Sequence, residues 1–241
     1  MSSPSMEALA AVIARDGFAH VHAPEMRALL DEHGGTADWA AFAASWDDLG
    51  LDTYMADGGR YRKRRHAAFG AHADEPVHRK PRQPHYQSRD YNPLNGGIAR
   101  WFDPVLPEIA DGPSMTAILA TCRALFERLA PTRDWHIEVH QFRIEARSGA
   151  EGRPTPEGMH RDGVDYVLVL LVGRRNIQSG VTSIRGTDGR DLGSFTLAEP
   201  CDAAWVDDHR VLHGVTPVEP IEPAEPGFRD VLVVTFRRED T

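Results

Sequence analysis

Cysteine is nearly absent: Cys122 and Cys201 are the two present among 241 residues. So few thiols exclude a disulfide framework and a thiolate metal site, suit a reducing compartment, and leave both as buried packing residues. Long apolar runs are also missing. None approaches the roughly 18 residues a membrane helix needs, and the opening MSSPSMEALAAVIARDG lacks the basic segment and long apolar centre of a secretion signal. Positive charge is in deficit, with 27 Lys and Arg against 36 Asp and Glu and a net charge of -9, so no general attraction to nucleic acid or anionic membrane is expected. No internal repeat is visible. These absences predict a cytoplasmic protein with no nucleic acid and no membrane partner, folded as one domain over 1–241.

What is present divides the chain in two. Residues 1–130 read as helical and loop-rich support. MEALAAVIAR (6–15) has helical spacing and is stopped by Asp16-Gly17, and a short strand, FAHVH, follows. Pro24 opens a second helix, PEMRALLDEH, closed by Gly34-Gly35, and DWAAFAASWDDL (38–49) reads as a third. Residues 56–104 are rich in Gly, Pro, Arg, His and Tyr with little periodicity, which predicts long ordered loops with short strands. PSMTAILATCRALFERL (113–129) is the last helix. The remainder, 131–241, is strand-like: WHIEVHQFRIEA alternates, YVLVLLV suits a strand buried on both faces, and GVTSI, GSFTL, DAAWV, RVLHGVTPV and RDVLVVTF follow at short spacing. Strands after helices predict a mostly β fold, an antiparallel sandwich or barrel with flanking helices packed on one side.

The chemistry sits in HRDGVDYVLVLLV (160–172). Residues i and i+2 of a strand share a face, so His160 and Asp162 can converge at the entry to the apolar run while Arg161 turns away. A bare H-x-D is equally a surface turn in which Asp162 caps Gly163. His213, in DDHRVLHGVTPVEP on a strand of the same sheet system, adds a second imidazole. Two imidazoles and one carboxylate leave three adjacent positions open on Fe(II), where a cosubstrate and O2 can bind together; Zn(II) is the weaker candidate. Arg229, at the start of the last apolar strand, needs an anion, either a ligand carboxylate or a rim salt bridge with Asp230 or Glu219.

These residues resemble the Fe(II)/2-oxoglutarate dioxygenases, whose core is a double-stranded β-helix, or jelly roll. SWDDLGLDTYMADGGRYRKRRHAAF, HYQSRDYNPLNGGIARWF, VHQFRI, EGMHRDGVDYVLVLL and VLVVTF are similar to the bacterial branch that includes L-isoleucine 4-hydroxylase and other free-amino-acid hydroxylases, over roughly 38–237. The resemblance implies Fe(II) held by His160, Asp162 and His213, 2-oxoglutarate as cosubstrate with its far carboxylate on Arg229, O2 as oxidant, and hydroxylation of an unactivated C–H bond. Many dioxygenases carry Ser or Thr two residues after that arginine. Here the position is Val231, so a hydroxyl donor is expected from Thr216 or Tyr166.

RYRKRRH (60–66) invites a nucleic-acid reading, but alternation divides its charge: Tyr61, Lys63 and Arg65 share one face, Arg60, Arg62 and Arg64 the other. Either it is a solvated edge strand, or one of Arg62, Arg64 and Arg65 holds a substrate α-carboxylate. In VHQFRI, Gln141 and Arg143 are the expected cavity-lining pair and His140 a core histidine. His20, His22, His33, His66, His72, His78 and His209 show no ligand spacing, Trp205 reads as core, and Gly96-Gly97 permits a turn in a lid or wall. Free-amino-acid hydroxylation is the leading reading. An oxygenase acting on a protein, and a non-catalytic metal-binding jelly roll, are the alternatives. Because His160 and His213 must be neutral to ligate, activity is expected to fall in mild acid, and a rate profile flat from about pH 5 to 8 would contradict the assignment.

Overall fold

The computed structural model describes residues 5–73, 75–92, 94–130 and 134–239. The Ser5 hydroxyl accepts from the Ala8 N–H at 3.2 Å to start α1 (Met6–Asp16), and Gly17 at φ 83° ends it. After β1 (Phe18–Val21) comes α2 (Ala23–Asp31), which stops short of Gly34-Gly35. The third expected helix is divided into α3 (Trp39–Ala44) and a 3-10 turn, Ser45–Asp48, where the Ser45 hydroxyl bonds back to the Phe42 carbonyl at 2.7 Å. α4 (Pro107–Ala110) and α5 (Pro113–Leu129) complete the helices, the latter with the expected bounds.

The 56–104 segment is mostly loop, as expected, but it also holds one long strand. Between β2 (Gly50–Leu51) and β4 (His78–Arg79), both of which it pairs with, runs the ten-residue β3 (Arg62–Ala71), which also pairs with β5 along its length. The basic stretch is therefore no solvated edge strand, since both of its sides are hydrogen-bonded. The remaining strands are β5 (Trp135–Ala146), β6 (Tyr166–Arg175), β7 (Ile177–Ser179), β8 (Thr182–Gly186), β9 (Asp191–Phe195), β10 (Ala203–Asp207), β11 (Val211–Val215), β12 (Val218–Pro220) and β13 (Gly227–Arg238). RVLHGVTPV is split into β11 and β12 around Pro217, which has no N–H for a ladder.

The major sheet runs β1-β10-β6-β13-β5-β3-β2 with β4 beside β3, and the smaller sheet runs β11-β8-β9. On one face of the major sheet, α5 sends Phe126 against Tyr166, Trp205 and Phe236, with ring centroids at 4.8, 5.7 and 5.0 Å, at the centre of the largest apolar cluster. Trp205 and both free cysteines are buried there, as expected. The other face meets the small sheet through Val167, Val206, Ile184 and Val211. This is the jelly-roll arrangement with helices on one side. Among the described residues, no helix is long and apolar enough to cross a membrane.

One carboxylate ties the helical layer to the sheet. Asp202 accepts from the N–H groups of Ala23, Ala198 and Glu199 at 2.9, 2.8 and 3.0 Å, and so caps α2 in place of His22, whose side chain makes no cap bond. Burial opposes the charge on Asp202, but the three donors outweigh it and hold its pKa below the ordinary 3.8. Asp202→Ala is expected to reduce unfolding free energy at neutral pH by about 2 to 4 kcal/mol. The stabilisation is whole above the unfolded-state pKa and is lost as pH falls through the folded one, so urea-unfolding curves of wild type and variant should converge in acid. A gap that persists there would refute the charge-based cap.

Candidate metal centre and its cavity

His160 and Asp162 do not lie on the apolar strand itself. β6 begins at Tyr166, and His160 instead forms an isolated antiparallel bridge with His213 of β11. The two histidines exchange both backbone hydrogen bonds, His160 N–H to His213 O at 3.0 Å and the reverse at 2.9 Å, so their rings stand side by side with centroids 4.5 Å apart. Asp162 follows on a loop that the buried Asp208 holds, accepting from the N–H groups of Asp162, Gly163 and Val164 at 2.9, 2.7 and 3.1 Å. Gly163 turns at φ 81° against the Tyr91 ring, where a Cβ would come within 2.5 Å of a ring carbon. Gln87 donates to the Asp162 carbonyl at 2.9 Å and ties the 85–101 segment to the same loop.

The donor atoms fit a divalent cation. His160 Nε2 lies 3.6 Å from Asp162 Oδ1, and His213 Nε2 lies 3.6 Å from Asp162 Oδ2, too far for hydrogen bonds but near enough for one ion to reach all three. His160 Nδ1 is 3.0 Å from the Gly158 carbonyl, which only accepts, so Nδ1 keeps its proton and Nε2 is the atom that would ligate once a metal displaces the proton there. Burial disfavours charge on both rings. On His160 the Asp162 and Glu157 carboxylates override it and raise the pKa to about 9, whereas His213, facing His160, is pushed down to about 4. Asp162 stays ionised despite its burial, held well below the usual range by the two imidazoles.

Arg229 faces the same cavity, about 330 Å3 in volume, from β13. It is 2% exposed, and its Nε and Nη2 have no hydrogen-bond partner among the described residues. The rim salt bridge does not form. Asp230 projects to the opposite face and pairs with Arg143 at 2.8 and 2.7 Å. Burial, with Arg174 nearby, lowers the Arg229 pKa to about 10, the signature of a cation awaiting an anion.

Other expectations are corrected. Tyr166 stacks on Phe126 in the helix-side core, on the wrong face of the sheet for a cosubstrate, and Thr216 is an exposed residue whose hydroxyl accepts from Val181 N–H at 2.9 Å. Neither lines the cavity. Gln141 donates to the Ser45 hydroxyl at 2.8 Å and Arg143 is held by Asp230 and Asp47, so that face of β5 packs against the helical layer. The cavity face carries His136, Glu138, His140, Phe142 and Ile144. Of the three arginines of β3, Arg62 and Arg64 line the cavity, while Arg65 points away onto the Asp48 and Pro104 carbonyls at 2.9 and 3.0 Å. His85, Glu138 and Arg100, which the sequence motifs did not single out, also face the cavity, from β5 and the 85–101 segment. The available signal was the alternation H-x-E-x-H over 136–140, which puts three polar groups on one strand face.

With the geometry in place, similarity to known proteins is informative. The profile of the 2OG-Fe dioxygenase family matches residues 43–235. A 3(1)-hydroxy-L-isoleucine 4-dioxygenase from Pantoea ananatis is 28% identical over 65% of this chain and 65% of its own, so the chain spans about two thirds of that relative's length. The crystal structure of a BsmA homologue from Methylobium petroleophilum PM1 superposes with TM-score 0.88 at 34% identity, covering 97% of this chain and 93% of that one. IDO from Bacillus thuringiensis shares the fold at TM-score 0.81 and 20% identity, over 98% of this chain and 100% of that one.

Asp208 touches no ligand side chain but fixes the backbone that presents one. Asp208→Ala is therefore expected to weaken Fe(II) or Mn(II) binding by about 10 to 100-fold in calorimetric titration; unaltered affinity in a folded variant would remove Asp208 from the site. Triad, cavity and orphaned arginine lie within the region the family profile covers, and the chain belongs to the 2OG-Fe dioxygenase family, whose chemistry uses Fe(II), 2-oxoglutarate and O2.

Proposed function

We propose that this protein hydroxylates an unactivated C–H bond of a free aliphatic L-amino acid or a close derivative, with Fe(II) on His160, Asp162 and His213 and 2-oxoglutarate on Arg229. The observation that carries the reading is the meeting, in one cavity, of the converged triad with a buried guanidinium whose N–H groups lack an acceptor. Iron bound there would couple O2 to the oxidative decarboxylation of 2-oxoglutarate and so supply the oxidant.

The protein's own residues do the rest. The Gly158 carbonyl sets the His160 tautomer, and Asp208 holds the loop that presents Asp162. Arg229 offers a fork of N–H donors suited to the far carboxylate of the cosubstrate. Val169, Val215, Val231, Val233, Phe142 and Ile144 line the cavity with apolar surface and keep water from the reacting centre. Val231 stands in place of a hydroxyl residue, and the cavity-lining Thr155 hydroxyl is engaged by the Val215 backbone at 2.9 and 3.2 Å. Arg62 and Arg64 remain as candidates for the substrate carboxylate. The amino-acid substrate in the name of the Pantoea relative favours the same substrate class.

Incubating the iron-loaded protein with 2-oxoglutarate, O2, ascorbate and a panel of L-amino acids should give succinate and a product one oxygen atom heavier in equal amounts. Succinate without a heavier product, for every amino acid, would refute the substrate class. Arg229→Gln is expected to raise KM for 2-oxoglutarate by roughly 100-fold, the loss of a buried charge-assisted pair. Arg64→Gln should raise KM for the amino acid while Arg65→Ala leaves it unchanged, and equal effects from the two would refute the division between inward and outward arginines.

A further inference from the structure

The wall formed by β3, β5 and the 85–101 segment carries charges of both signs side by side. At its cationic end, Arg62 is paired with Asp52 at 2.8 and 2.7 Å, and Arg64 stands 3.6 Å from the same carboxylate. Arg64 lies over the Phe102 and Phe142 rings at 3.7 and 4.4 Å, and its Nε is buried without an acceptor. Arg100 is 2% exposed, and among the described residues its guanidinium has neither an acceptor nor an ion-pair partner. Arg62 and Arg64 thus share one carboxylate, Arg100 has none within ion-pair distance among the described residues, and both Arg64 and Arg100 line the cavity with an N–H unsatisfied. Such an arrangement is costly unless an anion arrives.

The anionic end is Glu138. Its Oε2 receives one hydrogen bond, from His85 Nδ1 at 2.6 Å. His66, His136 and His140 each point Nε2 at the carboxylate but stand off at 3.6 Å. Glu138 is held well below the usual carboxylate range despite its burial by these four rings, and burial leaves His85 and His140 neutral at physiological pH. The site is therefore a cavity-lining carboxylate with one close hydrogen bond among the described residues.

His66, His85, Glu138 and His140 form a donor set that a metal ion could use, but the hydrogen bonding of His140 removes one of the four, and that of the neighbouring His136 follows the same pattern. Arg64 Nη2 lies 2.6 Å from His140 Nδ1, and Lys80 Nζ lies 3.3 Å from His136 Nδ1. Arginine and lysine only donate, so both Nδ1 atoms accept and both Nε2 atoms carry the hydrogen that faces Glu138. A protonated Nε2 cannot ligate. A divalent cation would also sit beside Arg64 and Arg100, whereas a molecule bearing both charges meets complementary partners at both ends.

Resting on the amino-acid reading above, we propose that this wall is a clamp for a zwitterionic head group, in which Arg64 and Arg100 take the α-carboxylate and Glu138 takes the α-ammonium. His140 is the spacer. Arg64 and Glu138 meet opposite edges of its ring, a separation that one α-carbon with its two charged substituents can bridge. The site thereby selects free α-amino acids over the corresponding acids, amines and N-acylated derivatives, and leaves the side chain to project toward the metal centre.

The test is calorimetric binding to the Mn(II)-loaded protein with 2-oxoglutarate, without O2. The ligands are the best substrate from a panel of the twenty standard L-amino acids, its des-amino acid and its decarboxylated amine. Wild type should bind the amino acid at least about 30-fold more tightly than either analogue, the size of one charge-assisted contact. In Glu138→Gln the amino acid should fall to the level of the des-amino acid, whose own affinity is unchanged. In Arg100→Gln it should fall toward the amine. If Glu138→Gln does not fold, Arg100→Gln reads the carboxylate arm alone, and Glu138→Asp should lose amino-acid affinity while keeping the charge. Turnover of an amino acid with no discrimination against its analogues, or with all three ligands weakened equally by each variant, overturns the clamp and leaves the hydroxylase reading standing. No amino acid bound or turned over overturns both.

Discussion

The site depends on two backbone hydrogen bonds between His160 and His213. They form a backbone rung that links the loop before β6 to β11, and they set two imidazoles side by side before any metal is considered. Opposite positions of an antiparallel pair keep side chains within ligand distance, so the fold itself supplies the spacing. Asp208 then binds three consecutive N–H groups and holds Asp162 at the remaining corner. Because these contacts are backbone-directed, the ligand side chains are left free of competing bonds except the one that sets the His160 tautomer.

A second constraint follows from the cavity between the sheets. Apolar side chains cover part of its lining, but Arg229, Arg64 and Arg100 are buried with N–H groups that the protein leaves unsatisfied. Buried guanidiniums without acceptors weaken a fold unless a ligand completes them, and three in one cavity mark a place shaped for anions. Their distribution suits the two tasks proposed above: Arg229 on β13 for the cosubstrate, and the β3 wall with its neighbouring carboxylate for the substrate. Polar groups that are satisfied inside the protein, such as Arg143 with Asp230 and Asp47, turn to the helical side and stabilise the fold instead.

The jelly roll accounts for this economy of position. One face of the major sheet packs on α5 and its aromatic cluster, which makes the sheet rigid, and the other face is left to carry chemistry. The small sheet closes over that second face and brings His213 with it. The 85–101 segment, tied through Gln87 to the Asp162 loop, contributes His85 and Arg100 to the cavity wall, so that loop and this wall are joined.

Much of this was written in local sequence. Two-residue alternation and helical spacing set most element bounds, among them α5 and β5, and H-x-D, the distal histidine and Arg229 named the triad and its anion partner, because those signals depend only on near neighbours and on residue chemistry. Alternation also separated Gln141 and Arg143 from His140, but it could not say which face looked inward: both faces mix polar and apolar residues, and the choice falls to whatever packs against them. For the same reason β3 was invisible as a central strand, since its arginines are buried by partners distant in the chain, and Tyr166 and Thr216 were chosen for their hydroxyls without knowledge of where those would point. Tertiary structure alone decided the sheet order, the inward face of β5, the outward turn of Arg65 and the placing of Arg100 and Glu138 in one cavity, because each is settled by contacts between segments far apart in sequence, which periodicity does not encode.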